Sequence, residues 1–229
     1  MTVTEVEARP AATVMLIRDC EPGLEVLMVQ RKNRGFFGGL TVFPGGAVDP
    51  VDRSQLAAPV IVGEGPGGEF RVAALRELAE ETGLALTSHG VSPAPPGRGA
   101  GLLSALVAAG IQLDGSRLTL VSCWVTPEDA PKRFDTRFFL AGVGETPEIR
   151  LDADELIGHL WITPVAALDM QSVGELEMFL PTIAHLRWLE RQADVEQAVA
   201  AARGADGRTV LQPRRMSDGS LVPIHLPDT

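Results

Sequence analysis

The sequence predicts an α/β fold in which helices cover both faces of a mixed central sheet. Three observations support this prediction: apolar runs of strand length come first, a helix with one apolar face follows, and further strands precede a helical C-terminal part. Elements in this order pack well as a three-layer sandwich. The 229-residue chain is 45% hydrophobic and can bury a sizeable core. We expect a single domain over residues 1–229, with a core of about 11–170 and a helical extension and tail of about 171–229.

The first elements along the chain are two strands joined by a tight turn. Residues 12–17 and 24–30 are apolar runs, and Glu21-Pro22-Gly23 between them contains residues that favour turns. This pattern predicts a hairpin. A short strand over residues 41–43 follows and ends at the Pro44-Gly45-Gly46 turn.

A helix with two chemically distinct faces is predicted after a loop over residues 47–68. The helix should begin near Glu69 or Phe70 and end at Gly83, because glycine commonly terminates helices. One face is apolar and the other charged; the apolar residues are Val72, Leu75, Leu78 and Ala79, and the charged residues are Arg76, Glu77, Glu80 and Glu81. We therefore expect one face to pack on the sheet and the other to face a site.

The second half of the chain contains further strands and helices and ends irregularly. Residues 88–100 are rich in proline, glycine and serine and predict a loop. The remaining predicted elements are helices over residues 102–109, 165–168, 182–192 and 195–203, and strands over residues 117–125, 134–143 and 159–162. The tail, residues 211–229, contains three prolines and predicts no regular element.

Composition and charge argue against several classes of protein. The net charge of −10 disfavours non-specific nucleic-acid binding, but it permits a phosphorylated substrate, because a bound metal ion reverses the local charge. The sequence has no apolar stretch of about 18 residues and no apolar leader, so we expect no membrane span and a cytoplasmic protein. Ser104 and Ser122 show no histidine and aspartate partners in the sequence, so no nucleophilic triad is predicted. No role is predicted for the four histidines, which are His89, His159, His185 and His225.

The densest chemical signal is the segment Arg76-Glu77-Leu78-Ala79-Glu80-Glu81-Thr82-Gly83-Leu84, which follows the Phe43-Pro44-Gly45-Gly46 turn. Like-charged carboxylates three or four residues apart on a helix repel one another by a few tenths of a kcal/mol per pair. Such a group gains most when a hard divalent cation lies between its oxygens. The alternative interpretation is an ordinary solvated acidic face.

The segment resembles the Nudix hydrolase signature. This signature reads glycine, five residues, glutamate, seven residues, and then Arg-Glu-aliphatic-x-Glu-Glu-x-Gly-aliphatic, and its second half is complete here. The first half departs from the pattern, because Arg76 lies 30 positions after Gly46 instead of 14, so that 16 residues are inserted. The position eight before Arg76 holds Gly68, and whether the neighbouring Glu69 replaces the missing glutamate is left open.

The resemblance implies a Nudix α/β/α sandwich and a metal-dependent pyrophosphohydrolase. Glu77, Glu80 and Glu81 match the family positions that ligate the metal, here Mg²⁺ or Mn²⁺, and Glu77 is also a candidate base. Arg76 at its matching position is expected to orient a motif glutamate through a bidentate pair rather than to touch substrate.

Candidate substrate contacts surround this helix. Gly45 and Gly46 allow the backbone to approach metal-bound phosphates, and the resemblance implies a Gly46 carbonyl ligand. Arg31 and Arg34 follow a predicted strand and could bind a 3′-phosphate, although ordinary surface charge is the simpler explanation. Glu155 lies in a loop from which some Nudix enzymes supply a base, and a plain surface loop is the alternative.

Two features resemble the Nudix branch that includes the peroxisomal acyl-coenzyme A diphosphatases of animals. The first is the interruption of the motif, and the second is the segment Arg133-Phe134-Asp135-Thr136-Arg137-Phe138-Phe139 after Thr126-Pro127. That branch implies a small-molecule nucleotide diphosphate substrate, with coenzyme A or acyl-coenzyme A favoured. The alternatives are ADP-ribose or a dinucleotide, and a Nudix fold that binds a nucleotide without cleaving it. A homodimer through the C-terminal helices is left open.

Overall fold

The computed structural model describes residues 6–34, 38–63, 68–204, 206–214, 222, 224 and 226. The strands are β1 (Arg9–Cys20), β2 (Gly23–Arg31), β3 (Thr41–Val42), β4 (Gly45–Ala47), β5 (Ile61–Val62), β6 (Leu84–Thr87), β7 (Gly90–Pro93), β8 (Leu113–Asp114), β9 (Thr119–Val125), β10 (Phe134–Gly142), β11 (Leu156–Ile162) and β12 (Val210–Leu211). The helices are α1 (Gly68–Thr82), α2 (Gly99–Ala108), α3 (Pro164–Ser172), α4 (Leu180–Leu189) and α5 (Val195–Gly204). Short 3-10 turns occupy Pro50–Arg53 and Gly115–Arg117.

The central sheet is mixed and has the strand order β11-β2-β1-β10-β9-β12. β1 pairs in parallel with β10 and antiparallel with β2, while β4 pairs with β1 and β3 with β2. β1 is largely buried, as expected for the continuous apolar run at residues 14–17 in a strand covered on both faces.

Each face of the sheet carries its own hydrophobic core. Alternate residues of β1 point to opposite faces, so Leu16 packs in the core that contains Leu78 of α1, whereas Met15 packs with Trp188 of α4 and Ala198 of α5. This arrangement confirms the predicted three-layer α/β fold. The segment after residue 170, predicted as an extension, supplies helices to the second layer. That the whole chain forms a single domain stays a prediction.

The predicted hairpin and the predicted glutamate-bearing helix are confirmed, and the predicted loops need correction. The hairpin of β1 and β2 forms, and α1 ends before Gly83, whose φ of 68° is the left-handed conformation expected at a helix end. Residues 47–68 are not all loop, because they contain a 3-10 turn and β5, which pairs with β8. The predicted loop over residues 88–100 contains β7, which pairs with β6, and the tail contributes β12.

Among the helices that the structure describes, none is both long enough and apolar enough to cross a bilayer.

Candidate active site

The glutamate-bearing face of α1 lies against β4. In β4, Gly45 lies opposite Thr13 of β1 and Gly46 opposite Ala12. A Cβ atom added at Gly46 would lie 2.5 Å from both Cδ and Oε1 of Glu77, and one added at Gly45 would collide with the carbonyl of Ala12. The two glycines therefore allow a close approach between α1, β4 and β1.

Arg76 anchors this face from inside the protein. Its buried side chain donates Nε to Asp52 Oδ1 at 2.7 Å and Nη2 to Asp52 Oδ2 at 2.9 Å. Nη2 also donates to the carbonyl of Ala47 at 3.0 Å, and Nη1 donates to Glu77 Oε1 at 2.8 Å. Burial alone would lower the pKa of Arg76, but the hydrogen bond to Asp52 and the nearby carboxylates raise it above its ordinary value. The sequence predicts a bidentate pair with a motif glutamate; the bidentate partner is Asp52, and Glu77 receives one hydrogen bond.

Asp52 is a site residue that the sequence analysis missed. It is the sixth residue after Gly46, which is the position of the first glutamate in the signature, so the insertion lies between Asp52 and Arg76. Counting forward from the glycine, instead of backward from Arg76, is the signal that finds it. Glu69 does not take this place, because its exposed side chain lies 3.9 Å from Nε of Arg53.

Glu77 and Glu81 are carboxyl groups in poorly hydrated surroundings. Glu81 Oε2 accepts a hydrogen bond from the N–H of Gly45 at 2.9 Å, and its Oε1 accepts one from Nη2 of Arg31 at 2.7 Å. Burial raises the pKa of Glu81 to about 8, although the charge of Arg31 opposes the shift. Burial also raises the pKa of Glu77 to about 7 against the opposing charge of Arg76. In each group the charge of the neighbouring arginine offsets only part of the effect of burial.

Glu80 and Glu155 contact the segment at which α2 begins. Glu80 Oε1 accepts a hydrogen bond from the N–H of Gly99 at 2.7 Å. Glu155 Oε1 accepts one from Nη1 of Arg98 at 2.7 Å, and its Oε2 lies 3.6 Å from Nη1 of Arg31. Glu155, the predicted loop base, thus shares the guanidinium of Arg31 with Glu81, so the structure brings it to the edge of the site.

Three carboxylates of α1, which we term the carboxylate cluster, are those of Glu77, Glu80 and Glu81. Their oxygens match the ligand preference of Mg²⁺ or Mn²⁺. Burial raises the pKa of Glu77 and of Glu81 despite the nearby arginines. A divalent cation bound between the carboxylates would stabilise their ionised forms. The donor set therefore fits such an ion. Within the described ranges, no three acidic, histidine or cysteine side chains form a ready-made metal site, since each motif glutamate faces a protein N–H or guanidinium.

A cavity of about 560 Å³ opens beside Gly45 and Gly46. Its lining is mainly apolar and includes the aromatic rings of Phe43, Trp124, Phe134, Phe138 and Phe179. Arg31 lines the cavity, whereas the exposed Arg34 is not among the described lining residues. The cavity can thus receive an uncharged part of a ligand whose charged part lies near the carboxylate cluster.

Ser122 has a histidine partner that the sequence analysis did not identify. Its Oγ lies 2.8 Å from Nε2 of His185, and Nδ1 of His185 lies 2.6 Å from the carbonyl of Pro181. A carbonyl can only accept, so Nδ1 carries the proton and Nε2 accepts from the hydroxyl. Ser122 Oγ in turn accepts from Nε1 of Trp124 at 3.0 Å. Ser122 and His185 are buried, and a carbonyl stands where a triad has a carboxylate, so the arrangement is a packing network rather than a nucleophilic site.

The similarity of the chain to known proteins agrees with this geometry. The NUDIX domain model matches residues 7–179, which is more than half of the chain. The chain belongs to the Nudix family. Over 195 residues it is 31% identical to the putative nudix hydrolase 7 of Caenorhabditis elegans, covering 81% of this chain and 62% of that protein.

Two further Nudix relatives are similar to this chain. Over 219 residues it is 28% identical to the acyl-coenzyme A diphosphatase NUDT19 of Homo sapiens, covering 69% of this chain and 58% of that protein. The chain spans about three fifths of the length of the two curated relatives. The crystal structure of a NUDIX hydrolase from Alicyclobacillus acidocaldarius superimposes with a TM-score of 0.74 at 35% identity, covering 85% of this chain and 96% of that one. The Nudix fold expected from the sequence is therefore confirmed.

Proposed function

We propose that this Nudix protein is a Mg²⁺- or Mn²⁺-dependent pyrophosphohydrolase that cleaves a nucleoside diphosphate linked to a second group. The observation that carries the proposal is the position of Glu77, Glu80 and Glu81 on α1, beside β4 and in front of the buried Arg76. Hydrolysis of a phosphoanhydride needs neutralised phosphate charge and an activated water. A cluster of carboxylates suits that chemistry, because its oxygens can bind a divalent cation.

The motif glutamates and the Gly46 carbonyl are the groups that would hold the metal. A bound Mg²⁺ or Mn²⁺ would supply charge neutralisation on the diphosphate and a more acidic water. Arg76 fixes the direction of the Glu77 carboxylate through its hydrogen bond at 2.8 Å, and Asp52 fixes Arg76 in turn. The glycine at position 46 leaves space for the Glu77 carboxylate next to β4.

Glu77 and Glu155 are the candidates for accepting the proton of the attacking water. Glu77 accepts a hydrogen bond from Arg76 at 2.8 Å, which holds its carboxylate beside Gly46. Glu155 has one oxygen on Arg98 and the other facing Arg31, and its side chain remains accessible to water.

Coenzyme A or acyl-coenzyme A is the substrate that we favour. Similarity to a protein named acyl-coenzyme A diphosphatase supports this choice, and so does the apolar cavity beside Gly45 and Gly46, which suits an apolar arm. ADP-ribose or a dinucleotide is the alternative within the same reaction class. A Nudix domain that binds a nucleotide without cleaving it is the alternative from a different class, since the structure shows a protein partner for each motif glutamate.

A substrate panel tests the proposal directly. The protein is incubated with coenzyme A, an acyl-coenzyme A, ADP-ribose and a dinucleotide, with Mg²⁺ or with a chelator, and the products are identified by mass spectrometry. We expect cleavage of coenzyme A species into 3′,5′-ADP and a phosphopantetheine product in the presence of Mg²⁺, and no cleavage in the presence of the chelator. Glu80→Gln should lose activity at least a hundredfold, while Glu69→Gln, exposed at the start of α1, should keep it. Nucleotide binding without products in every reaction would favour the binding alternative.

A further inference from the structure

Arg31 lies among oxygen atoms that a divalent cation also prefers. It is the last residue of β2, and its Nη2 donates at 2.7 Å both to Glu81 Oε1 and to the carbonyl of Gly45. Its Nη1 lies 3.6 Å from Oε2 of Glu155. Carboxylate and carbonyl oxygens are the ligands of hard cations, so the guanidinium fills a cationic position in the site.

The two oxygens of Glu81 have different partners. Oε2 accepts from the N–H of Gly45 at 2.9 Å, which fixes the carboxylate to β4. Oε1 accepts a hydrogen bond from Arg31, so this oxygen forms the ion pair of Glu81. Because the Glu81 side chain is only 3% exposed, solvent and salt screen this attraction weakly. A divalent cation that uses Glu81 therefore has to compete with Arg31.

Arg31 and Arg76 differ in how firmly the protein holds them. Arg76 is 2% exposed and has a bidentate partner in Asp52, together with hydrogen bonds to Ala47 and Glu77. Arg31 is 22% exposed, has one carboxylate within hydrogen-bond distance and lines the apolar cavity. Of the two guanidinium groups, Arg31 is therefore the one that can exchange partners.

We propose that Arg31 is an internal competitor of the divalent cation for Glu81, and that this competition sets the metal affinity of the site. The inference rests on the proposed metal site and adds a regulating residue to it. Competition is reciprocal, so binding of the cation weakens the hold of Glu81 on Arg31. Arg31 lies where the cavity meets the carboxylate cluster, and an arginine released from Glu81 there is available to a phosphate group.

Calorimetric titration of the full chain with Mn²⁺ alone, without nucleotide, tests this proposal. Arg31→Gln keeps an N–H donor for Glu81 but removes the charge, and we expect its dissociation constant for Mn²⁺ to be at least fivefold lower than that of the unmodified protein. Arg31→Lys keeps the charge and should stay within twofold. Arg18→Gln is the matched control, because Arg18 is also a partly exposed, ion-paired residue but pairs with Glu25 near the far end of β1.

Several outcomes would overturn the inference. Unchanged or weaker Mn²⁺ binding by Arg31→Gln would show that Arg31 does not compete, and absence of binding by the unmodified protein would remove the site itself. Arg31→Gln could bind Mn²⁺ more tightly while the unmodified protein cleaves no substrate of the panel. That result would support competition by Arg31 and contradict the proposed hydrolase activity. If metal-free Arg31→Gln is too unstable for calorimetry, the rise in Tm at saturating Mn²⁺ is compared instead. A larger rise than in the unmodified protein supports competition, and an equal or smaller rise rejects it.

Discussion

Asp52 and Arg76 form a bidentate ion pair whose side chains are 0% and 2% exposed. The pair joins the loop before the insertion to the helix after it, because Asp52 lies in a 3-10 turn and Arg76 in the middle of α1. Two buried charges of opposite sign tolerate one another well, but either alone is costly to bury. The pair therefore fixes the orientation of α1 against β4, on which the position of the motif glutamates depends.

Asp52→Asn should destabilise the protein strongly. The substitution leaves the buried Arg76 without its principal counter-ion, and breaking a buried pair in this way costs on the order of 3 kcal/mol. Urea unfolding at neutral pH measures the loss. Glu69→Gln, whose side chain is exposed, should change the free energy of unfolding by less than about 0.5 kcal/mol. A loss of that small size in Asp52→Asn would mean that the pair does not anchor α1.

Gly46→Ala should reduce activity while leaving the fold intact. The added Cβ would lie 2.5 Å from Glu77 Cδ, so the Glu77 carboxylate has to move away from β4. In the proposed reaction Glu77 would hold the metal, and displacement of its carboxylate by about 1 Å should then lower kcat on the order of a hundredfold. Gly101→Ala is the control, because nothing lies within 4 Å of its added Cβ and alanine favours the helix in which it lies.

The kcat values of Gly46→Ala and Gly101→Ala are measured at saturating Mg²⁺. Circular dichroism spectra of both variants check that the fold is intact. Equal kcat in Gly46→Ala and Gly101→Ala would contradict a role for the Glu77 position in the reaction. A gain of stability of up to about 1 kcal/mol is expected for Gly101→Ala, since glycine is a poor helix former.

The sequence predicted best those features that depend on residues close together in the chain. The period of Leu75 and Leu78 along α1 and the glycine after its last residue are local signals, and both α1 and its end are confirmed. The charged face was expected to face a site, yet Arg76 and Glu81 are buried against neighbouring elements. Helical periodicity separates the two faces of a helix but does not show what covers the second one.

Contacts between distant segments were the ones that sequence reasoning missed. Arg76 pairs with Asp52 on the other side of the insertion. Residues Gly90–Pro93 form β7 because they pair with the adjacent β6. His185 contacts Ser122, which lies 63 positions away in the sequence, because α4 packs against β9 on one face of the sheet. The spacing from Gly46 is a sequence signal for Asp52, whereas the other two contacts follow from the tertiary packing, for which the local sequence carries no corresponding signal.

His185 should make the stability of the protein fall as the pH falls below neutrality. Burial lowers the pKa of His185 from 6.5 in the unfolded chain to about 4, although its hydrogen bond to Pro181 opposes the shift. Between these values the unfolded chain binds a proton that the folded protein does not, so the free energy of unfolding decreases as the pH falls from about 6.5 to about 4. The full difference corresponds to a loss on the order of 3 kcal/mol.

Urea unfolding of the unmodified protein and of His185→Gln, at about pH 7 and about pH 4.5, isolates this contribution. Both proteins lose stability from titrating carboxyl groups, but the unmodified protein should lose about 2–3 kcal/mol more, because only it has the imidazole to protonate. His185→Gln should be the less stable of the two at pH 7, since glutamine cannot reproduce the stacking of the imidazole on Phe138, whose ring centroid lies 4.2 Å away. Equal losses in the two proteins would show that His185 is free to take up a proton in the folded state, in conflict with its burial between Ser122 and Pro181.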